Sequence, residues 1–208
     1  MNRKNKRGFT LVELIVVLVI LAILASLLIP ALTGYVTKAK KQAVITEARD
    51  VWTASQAALT ECYALYPESF NDKSNSCRFT ITVNGKTYKN VGRITNGALH
   101  AIQKKPNDKT EAGSSSRRVA AQVLKYLESD GKNPRYTFGN GGLISSAIKP
   151  RAYFNGKPKK TDVIIQIFHT KEGRIVAINF AKDGYMATIV PGQETTCEYD
   201  GACIASRG

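Results

Sequence analysis

Apolar residues fill the chain from Phe9 to Ile29, interrupted only by Thr10, Glu13 and Ser26. A run of that length can span a bilayer, which takes about 20 residues. The pattern then becomes amphipathic: Val44, Ala48, Val51, Trp52, Ser55, Leu59 and Cys62 recur at helical spacing. Arg49, Gln56 and Glu61 fall between them, so one stripe faces a core and the rest faces outward. Tyr66-Pro67 ends the pattern, since a residue before proline avoids the helical region. The spacing thus predicts one helix from about Thr10 to Tyr66, roughly 85 Å long at 1.5 Å per residue. Its amphipathic half can pack under a sheet, with Trp52 as a core residue.

Period-two patterning takes over further on. Residues 78–91 alternate β-formers around Asn84-Gly85, a strong hairpin signal. Residues 96–104 read as weakly helical and residues 106–116 as a polar surface loop. Ser116 caps a further helix through Val119, Val123, Leu124 and Leu127. Residues 139–142 read as a glycine-rich connector that lacks the lysine and hydroxyl of a phosphate loop. Residues 163–168, 174–180 and 185–190 form an antiparallel meander, turned at Lys171-Glu172-Gly173 and Asp183-Gly184. A long amino-terminal helix followed by antiparallel strands is an α+β plan.

The ends of the apolar run sharpen the picture. Arg3, Lys4, Lys6 and Arg7 precede it, with the small residue Gly8 between Arg7 and Phe9. A secretory signal peptide would carry its small-residue cleavage site after the apolar region, where Ile29-Pro30-Ala31-Leu32 is a poor one. A plain anchor explains the basic flank but not Glu13. A carboxylate at the centre of the hydrocarbon costs roughly 2.5–3.5 kcal/mol or more, so it needs a partner. The plain alternative is a side chain that reaches back to the headgroups from the helix end.

The segment Arg7-Gly8-Phe9-Thr10-Leu11-Val12-Glu13-Leu14 resembles the class III leader and mature start of type IV pilins and the related pseudopilins, with a leader of the short type IVa kind. The resemblance covers roughly residues 1–35. It implies a leader over residues 1–8, a membrane and filament-core helix over 9–35, and a pilin globular domain over 36–208. It implies cleavage by a prepilin peptidase between Gly8 and Phe9, and N-methylation of Phe9. Glu13 would neutralise the Phe9 amine of a neighbouring subunit. Pro30 matches the proline that kinks the family's helix, whereas Ala22 stands where many members have a helix-loosening glycine. The fold implied is pilin-like: the long helix packed on an antiparallel sheet. The chain would sit in the cytoplasmic membrane with its carboxy-terminal domain outside, then polymerise through an assembly platform and motor into a surface filament of its own copies. Adhesion, motility and DNA uptake are the uses this implies. A type II secretion pseudopilin or a minor or competence pilin is the nearest alternative. An anchored enzyme or receptor is the alternative from another class.

Charge and cysteines fit an exported subunit. The formal net charge is +14, and removing the four leader cations leaves +10 on the remaining side chains. Such a surface attracts DNA and acidic surfaces, although the basic residues are scattered and no arginine–aromatic array is legible. The cysteines are Cys62, Cys77, Cys197 and Cys203. An even number in an exported chain suggests two disulfides. Of three connectivities, Cys62–Cys77 and Cys197–Cys203 close the shortest loops. Their spacing is not that of a zinc site. Asp200-Gly201 lacks the carboxylates that calcium needs. His100 and His169 lie in no catalytic motif, so neither an enzyme activity, a metal nor a cofactor is expected.

Overall fold

The computed structural model describes residues 9–70, 77–83, 85–104, 115–130, 132, 134–139, 141–143, 152–154 and 162–199. The chain divides into two compact units, Met1–Lys40 and Lys41–Gly208. Helix α1, Leu11–Leu65, runs through both and continues through Pro30.

In the second unit α1 buries Val44, Ala48, Val51, Ser55, Ala58, Leu59 and Cys62. Trp52 is only partly buried and packs against the edge of this core. A short 3₁₀ turn, Pro67–Phe70, follows and seats Phe70 in the interior.

The main sheet is antiparallel, in the order β1-β2-β6-β7-β8-β9. Its strands are β1 (Cys77–Val83), β2 (Lys86–Thr95), β6 (Asp162–His169), β7 (Ile175–Lys182), β8 (Tyr185–Ile189) and β9 (Thr196–Tyr199). A two-residue strand β3, Thr137–Phe138, pairs in parallel with Asp162 and Val163 of β6. Strand β2 pairs with β6 only from Gln166 to His169. Strands β4 (Gly141–Leu143) and β5 (Ala152–Phe154) form a separate ribbon. Helices α2 (Asn96–Lys104) and α3 (Ser115–Tyr126) complete the core with Leu99, Ile102, Val119, Val123 and Leu124. The α+β plan read from the sequence is the fold observed.

Several differences are informative. The expected three-strand meander is the centre of a wider sheet, because β2 and β9 add to its two sides. The connector at 139–142 includes β4, whose glycines pair with Tyr153 and Phe154. The hairpin forms as expected, with Gly85 at φ +79°, while Asn84 lies outside the described residues. All eight residues of β6 are buried, so both faces of the sheet centre are covered.

Polar side chains fix how the layers meet. The amide of Gln56 on α1 donates to the Gly173 carbonyl at 2.9 Å, and its oxygen accepts from the Ile175 N–H at 3.0 Å. Gly173, at φ +72°, lies so close that a Cβ there would sit 3.1 Å from the Leu59 carbonyl oxygen and 3.2 Å from Tyr63 Cβ. A larger residue would push the β6–β7 turn off the helix. Buried Asn96 donates to the Gly139 carbonyl at 2.8 Å and accepts from the Ile165 N–H at 3.2 Å, which joins the start of α2 to β6. Gln103 donates to the Ser129 and Tyr136 carbonyls, both at 2.8 Å. Glu47 of α1 takes the Lys182 ammonium on both oxygens at 2.7 Å, and one turn on Asp50 meets Arg135 at 2.5 Å.

Candidate functional site

Glu13 lies in the first turn of α1, and Thr10 immediately precedes the helix. Its Oε2 accepts from the Thr10 N–H and from the Thr10 hydroxyl, both at 2.8 Å. In return the Glu13 N–H donates to Thr10 Oγ1 at 3.2 Å. This is a reciprocal capping box: two backbone donors at a helix start, which have no partner within the helix, are satisfied by side chains. Among the described residues Oε1 of Glu13 makes no hydrogen bond. One carboxylate oxygen is thus held on its own helix and the other is left for an external donor. The signal for this role was present in the sequence, because Thr10-Leu11-Val12-Glu13 has the T-x-x-E spacing of a capping box. Thr10 is the member of this cap that hydrophobic periodicity alone does not single out.

The helix that Thr10 and Glu13 open is apolar all round. From Phe9 to Val36 nineteen large apolar side chains are each 43–89% exposed. A solvated helix face does not look like this; an apolar helix with no polar side is made for lipid or for other helices. This helix is long and apolar enough to cross a membrane. At about 1.5–3 kcal/mol per large side chain removed from water, burying nineteen favours transfer by some 30–60 kcal/mol. One carboxylate cannot reverse that balance; it can only select how the helix is buried.

Polar groups inside the apolar stretch are satisfied locally. Ser26 Oγ donates to the Ile23 carbonyl at 2.7 Å and Thr33 Oγ1 to the Pro30 carbonyl at 2.9 Å. Pro30 has no N–H, so the carbonyl four residues earlier, at Ser26, loses its usual helical donor.

Gly8 and Cys203 lie outside the described residues. Cys62 and Cys77 are buried, Cys62 in the α1 stripe and Cys77 at the start of β1. Cys197 is half-buried in β9 opposite Ala187. Cys62 and Cys197 carry thiols in this structure. Burial, with Glu61 beside it, pushes the Cys62 thiol up to about 11, and burial also raises that of Cys197. His169 is buried against Phe70, its Nδ1 2.9 Å from the Thr170 carbonyl oxygen. The His100 ring meets the Phe138 carbonyl. Both histidines are therefore tied to backbone within the core layers. Among the described residues no group of three His, Cys, Asp or Glu side chains could hold a metal ion.

An apolar helix opened by a capped glutamate, whose later half packs under an antiparallel sheet, is an α+β architecture consistent with a pilin-like fold. Residues 3–29 match the model of the prokaryotic N-terminal methylation motif. The chain is 51% identical over 47 residues to the type II secretion system core protein G of Klebsiella michiganensis, which covers 23% of this chain and 33% of that protein. It thus spans a third of the length of this curated relative. These matches place the amino-terminal segment in the type IV pilin and pseudopilin superfamily. No solved structure matches the chain.

Proposed function

We propose that this chain is a prepilin, cut between Gly8 and Phe9, N-methylated at Phe9, and polymerised through α1 into a type IV pilus. The observation that carries this is the half-used carboxylate of Glu13 at the head of a helix exposed and apolar all round. Before cleavage Phe9 has only an amide. Cleavage creates an amine one residue before the Thr10 cap, and this charge is as unfavourable in hydrocarbon as Glu13 itself. The amine of one subunit and the open oxygen of Glu13 in a neighbour satisfy each other. Misplacing either leaves a buried, unpaired charge, which is strongly destabilising. Helix packing thereby gains a register, and Pro30 relieves the helix at the end of the apolar stretch. Exported and oxidised, the second unit closes Cys62–Cys77 and Cys197–Cys203.

A pseudopilin of a type II secretion system is the second reading, favoured by the similarity to a core protein G over the amino-terminal segment. Both readings use the same segment in the same way and differ in where the filament ends.

The test is an unreduced intact mass of the protein recovered from its native cells. The expected species is Phe9–Gly208 with one added methyl and four cysteine hydrogens missing. A chain beginning at Met1 and retained in membranes would overturn the filament reading. Immunogold labelling then separates the two readings. Labelled fibres on wild-type cells support the pilus, whereas a secretion defect without surface fibres supports the pseudopilus.

A further inference from the structure

The outward face of α1 changes character at its end. Thr53, Ala57 and Thr60 are small, but Leu65 and Tyr66 are large and stay 60% and 42% exposed before Pro67 turns the chain. Helix α3 meets this end. Its Val119, Val123 and Leu124 enter the core, while Arg118, Ala121, Gln122 and Tyr126 follow one another at helical spacing on the side toward α1. The two helices enclose a cavity of about 520 Å³, lined by Glu61, Leu65, Tyr66, Arg118, Ala121 and Gln122, with Cys62 also in its wall. That volume is in the range of small-molecule sites.

Bonds between the helices preset its polar side. Glu61 Oε2 accepts from the Gln122 amide at 2.6 Å and from the Tyr126 hydroxyl at 2.9 Å. Among the described residues Glu61 Oε1 and the Gln122 amide oxygen make no hydrogen bond. The Arg118 guanidinium lies 4.9 Å from the Tyr66 ring centre. Glu61 raises and Arg118 lowers the pKa of the Cys62 thiol, so both charges lie near one wall of the cavity. Tyr126 is 47% exposed. Side chains held this way lose little freedom when a ligand arrives.

We propose that this cavity binds a saccharide: Tyr126 packs on the C–H face of one sugar ring, Glu61 Oε1 accepts from its hydroxyls, and Gln122 and Arg118 donate to them. Each sugar hydroxyl both donates and accepts, so it uses a carboxylate, an amide and a guanidinium together. The sugar ring itself has an apolar face and a polar edge, which match the division between Leu65, Tyr66 and Ala121 on one side and Glu61, Gln122 and Arg118 on the other. A singly charged ligand fits less well, because it meets one like charge whichever its sign. A small zwitterion satisfies both charges but leaves the apolar wall wet. The site lies wholly in the second unit, so it holds whether or not the chain forms filaments.

The experiment is saturation-transfer NMR of the full chain in a polyoxyethylene detergent, which carries no sugar, with cellobiose, chitobiose, lactose and maltose as probes at millimolar concentration. Transfer to the ring protons of at least one of them is expected. E61Q keeps the shape of the side chain and should weaken that binding about 10-fold, the scale of a lost hydrogen bond to a charged group. Y126A should weaken it about 10-fold as well, whereas Y126F keeps the ring and should lose less than about 3-fold. Y199A removes a tyrosine that is 62% exposed on β9 and should leave binding within about 2-fold. Affinity should change less than about 2-fold between about 0.05 and 0.5 M NaCl, as suits an uncharged ligand. Unchanged Trp52 fluorescence on urea unfolding shows that each variant is folded. No transfer to any of the four probes would overturn the site. So would equal losses in Y199A and Y126A, a steep fall in affinity with salt, or binding of free leucine with none of the disaccharides.

Discussion

Replacing Gly173 by alanine separates two costs that are usually entangled. The residue is at φ +72°, where an L side chain is strained by roughly 1–2 kcal/mol. A Cβ there would also press on the Leu59 carbonyl and on Tyr63 Cβ, at 3.1 and 3.2 Å. Neither neighbour can easily yield, because both belong to α1, and Gln56 from the same helix is bonded to both sides of the turn. Over-packing of this kind adds about 1–3 kcal/mol, so Gly173→Ala should cost about 2–5 kcal/mol. Gly192 supplies the control: its φ is +75°, yet nothing lies within 4 Å of its Cβ position. Gly192→Ala should therefore cost about 1–2 kcal/mol from the backbone alone.

The assay is urea unfolding of the mature chain in micelles, followed by the fluorescence of Trp52, the single tryptophan, which packs against the core edge. With a urea slope of about 2 kcal/mol/M, Gly173→Ala should move the midpoint by roughly 1–2.5 M and Gly192→Ala by at most about 1 M. Equal shifts would falsify the claim that the β6–β7 turn is wedged against α1, and the difference between the two reads the contact cost directly.

Three other expectations follow from single contacts. The two ion pairs on α1 should differ: a double-mutant cycle on Glu47 and Lys182, whose side chains are only 25% and 22% exposed, should give a coupling of about 1 kcal/mol. The cycle on Asp50 and Arg135, nearly half exposed, should give under about 0.5 kcal/mol, and the reverse order would contradict the burial argument. Burial holds the His169 pKa below its ordinary value, so the unfolded chain takes up a proton that the folded chain refuses. Stability is then complete above the unfolded pKa of about 6.5 and declines as pH falls below it, by at most about 1.4 kcal/mol per pH unit from this residue. His169→Gln should flatten the midpoint-versus-pH curve between pH 7 and 5, and an unchanged curve would show that another group carries it. Thr10→Ala removes the hydroxyl that both holds Glu13 and caps α1, costing about 1 kcal/mol at the helix start. Cleavage should proceed while filament yield falls and Thr10→Ser restores it; undiminished filaments from Thr10→Ala would remove Thr10 from the assembly argument.

Much of this fold was legible because the chain states its periods clearly. The 3.6-residue spacing of Val44, Ala48, Val51, Ser55, Leu59 and Cys62 names the buried face of α1. The mainly apolar runs at 163–168 and 185–189, each with one polar residue, are strands covered on both faces. What escaped has little periodicity. Strand β9, Thr196–Tyr199, is polar and mostly exposed, and it is a strand because the free edge of β8 is beside it. Strand β4 contains two glycines and takes its conformation from β5. The cation–ring pairs were hidden for a related reason. Arg93 and Phe79 are fourteen residues apart, and they meet only because the bulged hairpin sets that register.

Glu13 is the residue to whose sequence reading the structure adds a second partner. In the sequence it stands out as a charge inside an apolar run, which needs either a partner or a reach back to the headgroups. In the structure Thr10 supplies a nearer partner, and two short hydrogen bonds offset part of the cost within one helix turn. Such a cap lowers the cost of placing Glu13 of a lone chain in a membrane. It also limits the role of a neighbour. The cap fixes Oε2, so a donor from another chain must approach Oε1, and the direction of that oxygen is set by Thr10 and not by a flexible side chain. In the proposed filament an amine placed one residue away along the neighbouring helix, about 1.5 Å in rise, would meet Oε1 in poorer geometry. In the proposed filament a capped glutamate is therefore a stricter register mark than a free one, and Thr10 is what makes it so.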